Sequence, residues 1–116
     1  MLPKNLRDIH DNIDLLKIIG KSKKKMRNNL IAQSPKEVIS SICQCVDNLL
    51  KNNVKVSQND LQNLQKYKGA MRKLVKKSSI KNKKKILIQK GGFLQFLIPA
   101  VVSTIGGLIA NAIAGR

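Results

Sequence analysis

From residue 66 to residue 90 the chain carries eleven Lys and Arg side chains and no acid, and from residue 93 to residue 115 it carries no charge at all. Few arrangements accommodate both stretches. The uncharged one must be covered by protein or lipid, while the basic one must stay in water or against a polyanion. The rest of the charge is placed very differently. Residues 1–60 hold 11 basic and all 6 acidic side chains, a net +5, whereas residues 61–116 hold 12 basic and no acidic ones, a net +12. The chain therefore divides into a helical domain at 1–78, a basic arm with a Gly-Gly hinge at 79–92, and an apolar C-terminal helix at 93–116.

A net charge of +17 on 116 residues is costly to compact without polyanions nearby, which points to nucleic acid or an anionic membrane. Hydrophobic residues make up 42% of the chain, too many for a wholly disordered basic tail. A stand-alone metabolic enzyme is disfavoured at this length, and no set of His, Cys and carboxylate residues converges in the sequence. Cys43 and Cys45 are the only cysteines and His10 is the only histidine, so no zinc site is expected. Two residues apart on a helix, the thiols point to roughly opposite faces, one packed and one at a helix edge, both reduced. His10 reads as a solvated side chain. No cofactor is implied, and Met1-Leu2-Pro3-Lys4-Asn5 lacks the apolar run of a signal peptide, which fits an intracellular, reducing origin.

Periodicity predicts an all-α chain, a small helical bundle. Leu2, Leu6, Ile9, Ile13 and Leu16 recur at helical spacing, with Gly20 as the stop. A short helix after Ser22 would turn Met26 and Leu30 inward and leave Lys23, Lys24, Lys25 and Arg27 in solvent. Ser34-Pro35-Lys36-Glu37 has the form of a capping box before the stripe Val38, Ile39, Ile42, Val46, Leu49, Leu50, which Asn52-Asn53 ends. Ser57-Gln58-Asn59-Asp60 opens a further helix carrying Leu61, Leu64, Met71, Leu74 and Val75, with Tyr67 beside the stripe. Ser78 and Ser79 interrupt it, and the sequence leaves residues 80–90 open between a basic helix and an extended arm.

Three stretches carry functional signals. In the basic band, Lys66, Lys73 and Lys77 project away from the apolar stripe and Lys68, Arg72 and Lys76 flank it; Lys81, Lys83, Lys84, Lys85 and Lys90 continue the run. These are the candidate DNA-binding residues. Lysine is a point charge that neutralises phosphate, whereas base reading favours Arg, Asn and Gln, and single-strand binding wants aromatic platforms. The band therefore predicts non-specific binding to double-stranded DNA.

In the apolar tail, Phe93, Leu94, Phe96, Leu97, Ile98, Val101, Val102, Ile105, Leu108 and Ile109 are candidate membrane or capsid contacts. Pro99 would divide this stretch into a short piece and a longer helix. Rows of small residues, Ser103-Gly107-Asn111 and Gly106-Ala110-Ala114, permit close helix approach, including self-association. Hydropathy alone favours a tail anchor; a membrane-perturbing helix and an apolar plug in a protein shell are the alternatives. At the junction, Gly91, Gly92 and Phe93 read as a flexible hinge and candidate processing site.

The run Lys90-Gly91-Gly92-Phe93-Leu94, followed by Leu97-Ile98-Pro99 and Ile105-Gly106, resembles the C-terminal part of the adenovirus core protein X (mu) precursor. The wider pattern over residues 36–116, with Cys43-Gln44-Cys45, a Lys-rich helix and the QKGGFL hinge, is similar to small basic proteins of adintoviruses and Polinton (Maverick) elements. This resemblance implies a virion core protein of the host nucleus or cytoplasm that condenses a double-stranded DNA genome. It also implies cleavage after Gly92 by a viral cysteine protease. Capsid proteins, or a membrane through residues 93–115, are the further partners to expect. A membrane-active or tail-anchored protein and an internal capsid cement protein are the alternatives. This basic segment is Lys-rich where the adenovirus one is Arg- and His-rich.

Overall fold

The computed structural model describes the backbone of residues 4–114 and the side chains of residues 6–104. Among the described residues all regular structure is helical: α1 (Lys4–Asp11), α2 (Ile13–Lys21), α3 (Lys24–Gln33), α4 (Lys36–Leu50), α5 (Gln58–Gln65), α6 (Lys68–Val75), α7 (Ile80–Lys90) and α8 (Leu94–Ala114). A 3-10 turn, Gly91–Phe93, joins α7 to α8, so that residues Ile80–Thr104 run as one helical rod and the bundle has seven rods. The expected all-α class is the one observed.

α4 is the central element. It packs against α1, α6, α7 and α8, while α2 lies along α8 and α3 along α7. Val38, Ile39, Ile42 and Val46 of the predicted stripe are buried, joined by Cys45, while Leu49 is partly buried and Leu50 is exposed. Around it, Ile9, Leu16, Ile31, Leu64, Leu74, Leu87, Phe93, Leu97 and Val101 close one continuous core drawn from every rod. The radius of gyration is 13.5 Å, against about 13 Å for a packed chain of this length. The apolar C-terminal helix thus lies in the body of the protein over its described side chains.

Several local readings are corrected. The first helix is two helices that break at Asn12, whose side chain donates to the Asp8 carbonyl at 2.8 Å beside its own backbone amide at 3.1 Å. Gly20 does not stop α2, which runs to Lys21; Gly20 is buried, and a Cβ there would lie 3.1 Å from Ile98. Its role is close approach to α8 rather than a left-handed turn. α3 is rotated from the expected register: Met26 is 55% exposed, whereas Arg27 is buried with Ile31. Ser34 does not build a capping box. Its hydroxyl donates back to the Leu30 carbonyl, and Pro35 takes the N-cap position of α4.

The end of α4 is as expected and has a clear cause. Asn52 adopts a left-handed φ of 60°, and the Asn53 and Asn52 amides return to the carbonyls of Asn48 and Leu49. That is the Schellman arrangement, with asparagine in the place usually taken by glycine. Ser57 caps α5 by accepting the Asp60 amide at 3.2 Å. The helix expected to run through Val75 breaks at Lys66–Tyr67 into α5 and α6, and Leu61 and Val75 stand at the exposed edge. Pro99 does not divide α8, which is continuous through it. Gln95 and Pro99 are both exposed, so the carbonyl that loses its amide donor lies on the water side.

Candidate nucleic-acid interface

The basic band is built on α6, the turn at residues 76–79, and α7. Residues 80–90 are helical because Ser79 supplies the cap, its Oγ accepting the Asn82 amide at 3.1 Å, and because Leu87 is buried in the core. Lys76 and Ser79 are extended, which turns the chain between the two helices. Between them lies an open groove of about 380 Å³ lined by Lys73, Lys76, Lys77, Ser78, Asn82, Lys85, Ile86 and Gln89. Four cations and three neutral hydrogen-bonding side chains line one concavity that has no carboxylate.

The eleven predicted cations do not share one fate. Lys73, Lys76, Lys77 and Lys85 converge on the groove, and Lys81 is exposed on the same helix as Lys85. Lys66 and Arg72 are exposed on the α5–α6 side, and Lys90 is exposed at the end of α7. Lys68 borders a separate cleft with Leu49, Leu61, Leu64 and Met71. Lys84 is structural: its Nζ donates to the Ala32 carbonyl at 3.0 Å, tying α7 to the end of α3. Lys83 stands over Cys43 in a shallow depression that also includes Asp47. Among the described residues, none of these cations makes an ion pair.

Ser78, Asn82 and Gln89 were not among the expected site residues. The signal was in the spacing: Asn82, Lys85, Ile86 and Gln89 follow the 3, 4 and 7 intervals that line one helix face.

The glycine pair departs from the expected hinge. Gly91 and Phe93 are buried and Gly92 is half-buried, all within the 3-10 turn. The Tyr67 and Phe93 rings meet at 5.7 Å and 50°, and a Cβ on Gly92 would lie 2.8 Å from Tyr67 Oη. Gly92 lets the Tyr67 side chain approach the backbone, and the pair does not form an open linker. The protease-accessible reading of Gly91, Gly92 and Phe93 does not hold for this packed conformation.

The tail residues are likewise placed inside. Phe93, Leu94, Leu97, Ile98 and Val101 are core side chains, and Phe96 and Val102 are partly buried against them. Ile105, Leu108 and Ile109, the small-residue rows beyond Ser103, and Leu2 lie outside the residues whose side chains are described. The rod Ile80–Thr104 is long and apolar enough to cross a membrane by composition, yet 44% of its most apolar window is buried within the protein.

Cys43 and Cys45 are both free thiols. Burial pushes the Cys45 thiol up to about 12, and burial also raises Cys43 against the opposing pull of Lys83. Among the described residues no group of three His, Cys, Asp or Glu side chains could hold a metal ion. Comparison with protein family models, curated proteins and solved structures finds no match.

Proposed function

We propose that this chain is a non-catalytic protein of a viral core that binds and condenses double-stranded DNA through phosphate contacts. The observation that carries this reading is the α6–α7 groove, where Lys73, Lys76, Lys77 and Lys85 converge without a carboxylate. Serine and amide side chains beside them, Ser78, Asn82 and Gln89, are typical additional phosphate donors. Lysine in place of arginine favours charge neutralisation over bidentate base selection. The resemblance of residues 83–110 to the adenovirus precursor, and of residues 36–116 to the adintovirus proteins, supports a virion setting.

The membrane reading requires α8 to leave the core and expose Phe93, Leu94, Leu97, Ile98 and Val101, whereas Lys73, Lys76, Lys77 and Lys85 are already exposed. Docking in a capsid groove would have to use the outer side of α8, where Gln95, Pro99 and Ser103 are exposed. Cleavage after Gly92 would cut next to a wholly buried phenylalanine, so it follows only an opening of the fold.

The test is binding of the full chain to two unrelated duplexes across a salt series. With roughly 6–10 phosphates engaged, affinity falls by about 10³–10⁵ between 50 and 200 mM salt, equally for both sequences to within an order of magnitude. Weak binding that ignores salt would overturn the reading.

A further inference from the structure

Two amide side chains of the groove have hydrogen-bonding capacity beyond the donors that a phosphate uses. Asn82 and Gln89 are exposed on α7 and, with Lys85 and the half-buried Ile86, form the α7 wall of the groove. A carboxamide presents a donor and an acceptor together. A phosphate can use only the donor, whereas the major-groove edge of adenine presents N7 as acceptor and N6 as donor, and thymine offers a methyl group for apolar contact.

We propose that α7 lies in the major groove of the duplex, with Asn82, Lys85 and Gln89 facing the base edges and Lys73, Lys76 and Lys77 on the adjoining phosphates. This assignment rests on the double-stranded DNA reading above and names the face of the duplex that is engaged. The element order supports it: the eight-residue α6, a turn at residues 76–79, and the eleven-residue α7. DNA-binding helical pairs use that order to place their second helix in the major groove while the flanking segment holds the backbone.

Dimensions agree. A helix about 10–12 Å across enters a groove about 12 Å wide, and the seven helical steps from Asn82 to Gln89 span about 10 Å, close to three base-pair steps. α7 contains no acidic residue, and its opposite side is anchored by Leu87 in the core and by Lys84 on the Ala32 carbonyl. The stripe Lys81, Asn82, Lys85, Gln89 is the exposed side of the helix. The side that reaches DNA is therefore set by packing.

The test compares the full chain on two duplexes of one sequence, one unmodified and one with glucosylated 5-hydroxymethylcytosine. The sugar is neutral, so the phosphate charge is unchanged while the major groove is filled. Affinity should drop by at least about tenfold on the modified duplex, and netropsin in the minor groove of an A·T-rich duplex should leave binding unaffected. Equal affinity for both duplexes, or displacement by netropsin, would overturn the major-groove assignment and leave phosphate binding standing. Failure to bind the unmodified duplex at low salt would overturn the DNA reading beneath it.

Discussion

Arg27 shows how far one side chain can depart from its neighbours in sequence. It follows three exposed lysines, yet it is 8% exposed and its Nε has no hydrogen-bond partner. A Cβ on Gly91 would lie 3.5 Å from that nitrogen, so the guanidinium lies against the last turn of α7. The spacing carries part of the signal, because Arg27 lies four residues before the buried Ile31 and roughly opposite the exposed Lys25, but the expected register put Met26 and Leu30 inward instead. The cysteines were legible, since two residues along a helix turn opposite ways, and Cys45 is wholly buried while Cys43 is half-buried. Burial raises the Cys45 thiol in the folded state to about 12 from an ordinary value of 9.0. The unfolded chain therefore loses this proton first, and stability falls as pH rises above the unfolded value. The slope attributable to this group is about 1.4 kcal/mol per pH unit. Chemical denaturation of the wild type and of Cys45→Ala at pH 8 and pH 10 should show the stability gap between them narrowing by about that amount. A gap independent of pH would show that the thiolate is tolerated in the core.

At the scale of elements, caps were readable and breaks were not. Ser57, read as a helix start, accepts the amide three residues on; Ser79, read only as an interruption, does the same for α7. Ser34 had the same local form, but its hydroxyl bonds the preceding helix, because Pro35 lies between α3 and α4 and both helices end within reach. The break at Asn12 falls where the Asp8 carbonyl accepts both the backbone and the side-chain amide of Asn12, a local arrangement that periodicity does not resolve. The Gly-Gly segment was readable as special but not as packed, since the ring of Tyr67, twenty-odd residues upstream, is what requires it. Its packing makes α8 part of the fold. Ending the chain after Gly92 removes Phe93, Leu94, Leu97, Ile98 and Val101, five core side chains. Deleting one such side chain costs about 2–5 kcal/mol, against about 5–15 kcal/mol for a whole domain. Residues 1–92 alone should lack a cooperative thermal transition by circular dichroism, while the full chain keeps one. A sharp transition in the truncated chain would show that the core closes without α8.

Across the whole molecule, charge and core are separated. The six acids lie on α1, α2, α4 and α5, where Asp8 accepts from Gln44 at 2.8 Å and Asp47 pairs with Lys51 at 3.0 Å. α6 and α7 have none, so their outer surface is a field of one sign. The sequence showed that field but not its focus. Which lysines converge depends on the turn at residues 76–79, and the groove becomes visible only when α6 and α7 are set side by side. The central claim is that this groove, and not net charge alone, holds the duplex. The most direct measurement compares two variants of equal charge, Lys73→Gln/Lys76→Gln/Lys77→Gln in the groove and Lys17→Gln/Lys21→Gln/Lys24→Gln on the exposed sides of α2 and α3. Duplex binding across a salt series should lose about 2.7 from the magnitude of its log–log slope in the groove variant, near 0.9 for each phosphate contact removed. The α2–α3 variant should keep the wild-type slope. Equal losses in both would contradict the account and assign the binding to the charge of the whole chain.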